Sequence, residues 1–273
     1  MRDVSFGSYY PAKSFVHNMD ARAKILISIA FIVAVFLVRS FHFLGFAACA
    51  LFIVVSTVTA RIPFFKVVKS IKTILFFIVF SAVLQMLFNK NGTPLWEGGF
   101  ITDIGLINAG FIVARISLVV MGASLLTYTT TPVELADGIE SLLTPLKLIK
   151  LPVHEFALIM SIALRFIPTL IDETDRIIKA QKARGANFES GNLFKRLKAL
   201  IPVLIPLLIS SFRRADELAD AMDARCYAGS KNRTKYKKMK LSYRDFLGVI
   251  IIAGLITGII FLNKFYIVLA VGV

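Results

Sequence analysis

Apolar and polar positions along this chain fall into two textures. Residues 25–38 carry no charge, Arg39 and Ser40 break the run, and residues 41–60 resume it for twenty positions. At about 1.5 Å per residue, a helix of that length matches a hydrocarbon layer of about 30 Å. The first run is short for a span. An arginine at its end can still reach the interface while its stem stays in the apolar layer, so the two runs predict a tight helical hairpin. A third span is predicted over residues 73–88 ("TILFFIVFSAVLQMLF"), a fourth over 105–129 with Arg115 inside it, and a last over 246–262 with the short tail "NKFYIVLAVGV" beyond. Arg61, Lys66, Lys69 and Lys72 surround Pro63 before the third span, and the turn-rich "NKNGTPLWEGG" follows it. The bias of lysine and arginine towards cytoplasmic loops puts the lysine-rich loop and the amino terminus inside and the Asn-Gly loop outside.

From Thr131 the texture changes. Residues 132–245 hold 20 Lys+Arg and 13 Asp+Glu, leaving 12 and 4 for the rest of the chain. This region reads as cytoplasmic and as three helical pieces. The first opens with Thr131 as N-cap, Pro132 at the first helical position and Glu134 three residues after the cap, the pattern of a reciprocal capping box. The second, residues 151–185, and the third, 192–226, share a layout: an apolar section with proline (Pro168; Pro202 and Pro206), an amphipathic section, then Ala-Arg. Apolar sections of roughly 14–16 residues are too short to cross comfortably and are expected against the spans or along the membrane face. The predicted fold is all-α: a polytopic membrane protein with about five transmembrane helices and an inserted set of coupling helices. Its segments are residues 1–24, a cytoplasmic amino-terminal stretch; 25–130, transmembrane helices; 131–245, the cytoplasmic coupling region; and 246–273, the last span and tail.

Composition agrees with this division. The chain is 57% hydrophobic with a formal net charge of +15, against about 45–50% apolar residues in soluble domains. Among nucleic acid, anionic lipid and cytoplasmic loops as reasons for the positive charge, the apolar runs favour the loops, with no nucleic-acid partner expected. Cys49 and Cys226 stand too far apart in sequence for a metal-ligand cluster, and no cleavable leader is expected. The stripe Gly105, Ala109, Gly110, Ala114, Gly122 and Ala123 is expected to permit close helix contact, with the chain's own spans or with a partner.

The sharpest signal is a repetition. "QKARGANF" and "MDARCYAG" place Arg184 and Arg225 at helix ends, each after alanine and before a small residue. An arginine in a last helical turn complements the negative end of the macrodipole. Its planar guanidinium can also grip a carboxylate with two parallel bonds, and small neighbours allow close approach. Two such tips imply two similar sockets, hence a partner that is itself paired.

The chain resembles the transmembrane T component of energy-coupling factor transporters, vitamin and metal-ion importers powered by ATP. The resemblance rests on "SFVHNMDARAKIL", "TTPVELADGIESLL", "ALRFIPTLIDETDRIIKAQKARGANF" and "DELADAMDARCYAG". It implies that two coupling helices insert their arginines into grooves of two ATPase subunits, near acidic residues. Carried over, one tip is Ala183, Arg184 and Gly185, and the other Ala224, Arg225 and Cys226. Cys226 stands where the first copy has glycine, which puts a left-handed cap there in doubt and leaves Gly229 as an alternative turn. The resemblance further implies a separate substrate-binding membrane S component that chooses the cargo, and ATP and magnesium held by the ATPases, with no cofactor in this chain. No G-x-x-x-x-G-K-[ST] loop is present, so the chain is not expected to be the enzyme. The expected location is the plasma membrane of a prokaryote.

Two other readings compete. An intramembrane enzyme or ion carrier would use Arg115 with His154 and Glu155, although "HEFAL" lacks the second histidine of H-E-x-x-H and so offers zinc no i, i+4 pair. A lipid-surface protein would use "KNRTKYKKMK", residues 231–240, to bind anionic lipid; that contact is expected as an anchor beside the last span.

Overall fold

Hydrocarbon offers a backbone N–H or C=O no water to bond, so an apolar run in a bilayer folds as a helix that satisfies itself. The structure, a computed structural model, describes residues 9–39, 43–89, 93, 102–145, 153–186, 188, 193–227 and 242–271. Among the described residues the helices are α1 (Ala21–Leu37), α2 (Phe43–Ala60), α3 (Phe64–Phe88), α4 (Asp103–Thr129), α5 (Pro132–Leu143), α6 (Val153–Ala183), α7 (Leu193–Asp223) and α8 (Tyr243–Val271). Residues 43–60, 64–88, 103–129 and 243–264 are long and apolar enough to cross a membrane. The protein is an all-α polytopic membrane protein.

Two boundaries differ from the sequence expectation. α3 begins at Phe64, so Lys66, Lys69 and Lys72 lie on its first turns and not in a loop. α8 runs on to Val271, making the expected tail part of the helix. Both differences have one cause. Hydropathy finds where a helix is apolar, whereas the hydrogen-bonded ladder continues wherever backbone geometry and lysine stems allow.

Contacts divide the chain into a unit of residues 7–139 with 239–273 and a unit containing residues 140–238. In the first, the core gathers Phe31, Ala34, Val35 and Val38 of the α1 hairpin arm, Phe46, Cys49 and Ile53 of α2, Leu118 of α4, and Ile252 and Ile259 of α8. The Phe31 and Phe52 rings stack at 5.1 Å between the hairpin arms. Gly122 lets Phe31 in: a Cβ there would stand 2.6 Å from Phe31 Cδ1. Gly110 has open space around it, so the small-residue stripe packs the chain's own helices at one position and faces outward at another.

α1 has 17 residues, about 26 Å, and its carboxyl end stops inside the bundle. Arg115 Nη2 donates to Val38 O at 2.5 Å, and Asn263 Nδ2 to Leu37 O at 2.8 Å. The guanidinium also lies over the Phe46 ring, 5.6 Å from its centroid. A cation at the negative end of a helix, donating to its orphan carbonyls, accounts for an arginine within a span.

In the second unit α6 and α7 each run 31 residues, straight through Pro168 and through Pro202 and Pro206. Neither is among the helices apolar enough to cross a membrane. They pack against each other antiparallel. Gln181, near the end of α6, brings Nε2 to 3.5 Å from Pro202 O, while Met222, at the end of α7, shares a groove with Ile162 and Phe166.

Candidate functional site: two arginine-tipped helix ends

The last turn of α6 leaves carbonyls without intrahelical donors, and the chain closes them by turning left-handed at Gly185, φ +90°. Ala186 N–H then donates to Gln181 O at 2.9 Å and Gly185 N–H to Lys182 O at 3.0 Å. This six-to-one, five-to-two pair of bonds is the Schellman motif. Arg184 becomes the residue at which helix gives way to turn, and Ala183, Arg184 and Gly185 are all exposed.

α7 ends in the same way. Tyr227 N–H donates to Met222 O at 3.1 Å and Cys226 N–H to Asp223 O at 2.9 Å. Cys226 itself takes the left-handed conformation, φ +56°. The doubt attached to this cysteine is therefore corrected: its small side chain tolerates the conformation, and Gly229, which lies outside the described residues, is not needed for the cap. Ala224, Arg225 and Cys226 are exposed like their counterparts. Among the described residues neither tip guanidinium makes an ion pair.

The tips are related by more than sequence. Glu173 of α6 and Arg214 of α7 form an ion pair, and these residues stand 41 positions apart, the same interval that separates Arg184 from Arg225. Two equivalent positions that touch in an antiparallel pair mark a local two-fold axis. A second approach agrees with it to within one residue: Gln181 lies beside Pro202, and on the other side of the axis Met222 shares a groove with Ile162, the neighbour of Pro202's counterpart Ser161. Each tip is eleven residues beyond the axis, in opposite directions, so the two arginines stand roughly 33 Å apart along the pair. The 41-residue interval was visible in the sequence, but only at the tips; applied to Glu173 it would have found Arg214.

A second polar cluster, missed from sequence, lies where α1 and α8 begin and α4 ends. Asp245, 2% exposed, accepts from Asp20 N–H and Ser242 N–H, each at 2.7 Å. The Asp20 carboxylate caps α1 by accepting from Arg22 N–H at 3.1 Å. Lys24 Nζ donates to Thr129 O at 3.0 Å and His17 O at 2.9 Å, closing the end of α4. His17 Nε2 lies 2.9 Å from Tyr10 O and Nδ1 2.7 Å from Ser14 Oγ. A carbonyl only accepts, so Nε2 carries the proton, and Nδ1 accepts a hydrogen bond donated by the Ser14 hydroxyl. Burial lowers the His17 pKa from its ordinary value. The expected capping box is present: Thr131 N–H donates to Glu134 Oε2 at 3.4 Å, and Glu134 N–H to Thr131 Oγ1 at 3.3 Å. "SFVHNMDARAKIL" is thus the strap that ties three helix ends together.

The residues of the alternative site fall in different units. Arg115 belongs to one unit, at the end of α1, while Glu155 and His154 stand in the first turn of α6 in the other. The His154 side chain lies outside the described residues. Among the described residues no group of three or more His, Cys, Asp or Glu could hold a metal ion.

Membrane-spanning helices together with an antiparallel, arginine-tipped helix pair define a polytopic membrane protein that carries a long amphipathic helix pair. Comparison with known proteins gives that class a family. A family model described as cobalt transport protein, CbiQ, matches residues 12–236. The energy-coupling factor transporter transmembrane protein EcfT of Ruminiclostridium cellulolyticum is 49% identical, over 90% of this chain and 92% of its own. Its counterpart in Clostridium kluyveri is 48% identical over the same shares, and that of Listeria innocua 43% over 94% and 98%. The chain belongs to this family of energy-coupling factor transporter transmembrane proteins.

Proposed function

We propose that this chain is the scaffold subunit of an energy-coupling factor importer in a prokaryotic plasma membrane, with its amino terminus in the cytoplasm. The tips at Arg184 and Arg225 dock into the grooves of two ATPase subunits, which hold ATP and magnesium. When nucleotide closes those subunits, the docked tips move α6 and α7, and the pair shifts a separate substrate-binding membrane subunit so that a vitamin or metal ion is released inwards. The single observation that supports this reading is the pairing of identical caps about a local two-fold axis, because a two-fold pair of sockets is what such tips fit. The aliphatic flank of α7, with Leu204, Ile205, Leu208 and Ile209 more than half exposed, provides apolar surface for the substrate-binding partner. The enzyme or ion-carrier reading is weaker, since Arg115 is engaged by the end of α1.

The test replaces both tip arginines with glutamate and measures ATPase co-purification and substrate uptake in cells. Loss of both is expected; wild-type uptake with the ATPases still bound ends the proposal.

A further inference from the structure

α3 and α4 run side by side, and near the start of α3 a cavity of about 450 Å³ opens between them. Lys66 and Lys69 approach it from α3 together with the Thr73 hydroxyl, and Ser124 and Tyr128 approach from α4. Its apolar side is Ile74 and Val120. Among the described residues no carboxylate lines it, so the two ammonium groups are not neutralised within the cavity.

The rim is held in place. Tyr128 Oη donates to Lys66 O at 3.2 Å, and Lys66 Nζ sits 4.2 Å from the centroid of the Tyr10 ring. Just beyond Ile74 the helix turns bare aromatic surface outwards: Phe76 is 74% exposed and Phe77 64%. Cations and hydroxyls at one end with exposed aromatic surface at the other match an amphiphile that has an anionic head and apolar tails. Lysines that served only to anchor a span end would need neither hydroxyls from a second helix nor a cavity. Basic pockets between transmembrane helices take lipid phosphates for this reason.

We propose that the α3–α4 cavity binds the phosphodiester headgroup of an anionic glycerophospholipid, with its acyl chains along the Phe76 and Phe77 surface. The site is independent of the docking tips and of ATPase coupling. Its residues are distinct from the basic run at residues 231–240.

The experiment is native mass spectrometry of the full chain in non-ionic detergent, with phosphatidylglycerol or phosphatidylcholine as probe. The wild type should retain phosphatidylglycerol over phosphatidylcholine. Lys66→Gln with Lys69→Gln should lower that retention roughly thirty-fold, two lysines' worth of attraction. Lys66→Arg with Lys69→Arg should restore it, which separates lost charge from a damaged fold. Lys264→Gln, near the other end of α8, should leave it unchanged. Equal retention of the two lipids by the wild type would overturn the proposal. So would a double glutamine variant that binds like the wild type, an equal loss in Lys264→Gln, or displacement of the lipid by millimolar inorganic phosphate.

Discussion

Cys226 allows the cap on α7 to be tuned without touching Arg225. A left-handed backbone brings an L residue's Cβ against its own carbonyl, at about 1–2 kcal/mol, and Cys226 sits there at φ +56°. Cys226→Gly removes that strain. Glycine also loses more freedom on folding, worth about 0.5–1 kcal/mol, so the net gain should be about 0.5–1 kcal/mol. Cys226→Val moves the other way, because a β-branched residue at positive φ is a genuine outlier, and should lose at least about 1 kcal/mol. The natural reporter is the Tyr227 amide, whose bond to Met222 O closes the motif. At a tenfold change per 1.4 kcal/mol, its hydrogen-exchange protection should rise about two- to fivefold with glycine and fall at least about fivefold with valine. If the tip docks as proposed, ATPase co-purification should follow the same order with Arg225 intact. Reduced protection in the glycine variant, or unchanged protection in the valine variant, would refute the reasoning.

Asp245→Ala leaves two buried N–H donors unpaired and removes a charged acceptor, so stability should fall by about 3–5 kcal/mol; the melting temperature in detergent should drop by roughly 10 °C, and a change within about 2 °C would be contrary. Gly122→Ala forces a Cβ to 2.6 Å from the closed-in Phe31 ring and should cost about 1–3 kcal/mol, whereas Gly110→Ala, with nothing within 4 Å, should be neutral or stabilising by up to about 1 kcal/mol in the same melt. Reversing one charge, Glu173→Arg or Arg214→Glu, should destabilise the helix pair, and making both changes should restore it, with a coupling of about 1 kcal/mol in a double-mutant cycle. His17 has its pKa lowered by burial, so the folded state holds the neutral ring. Its contribution is present above the ordinary value of 6.5 and is lost as pH falls through the lowered one; His17→Gln should flatten the decline in melting temperature on acidification from pH ~7.5 to ~5.

Helix content and the two tips were legible because each follows from local chemistry. Apolar runs, the Thr131–Glu134 box and the glycine after Arg184 signal themselves within a few residues. The cap at Cys226 was not legible, since sequence assigns the left-handed turn to glycine by preference, while the structure decides by which amides the last carbonyls need. The start of α3 was misplaced because lysines look like a loop when only hydropathy is read. Asp245 and Lys24 stayed hidden for a different reason: their partners, Asp20 and Thr129, are 225 and 105 positions away, and no local pattern encodes such distances. Arg115 was marked as unusual, but its purpose depended on where α1 stops.

The Glu173–Arg214 contact lies midway between the arginines, like the rivet of a pair of scissors with equal blades. A load applied alike at both points has no sideways component left at the rivet, because the two halves cancel. What survives is motion along the symmetry axis and a change in the angle between the blades. Anything resting on this crossing would therefore feel it open, close, rise or sink along that axis, but would not be dragged sideways.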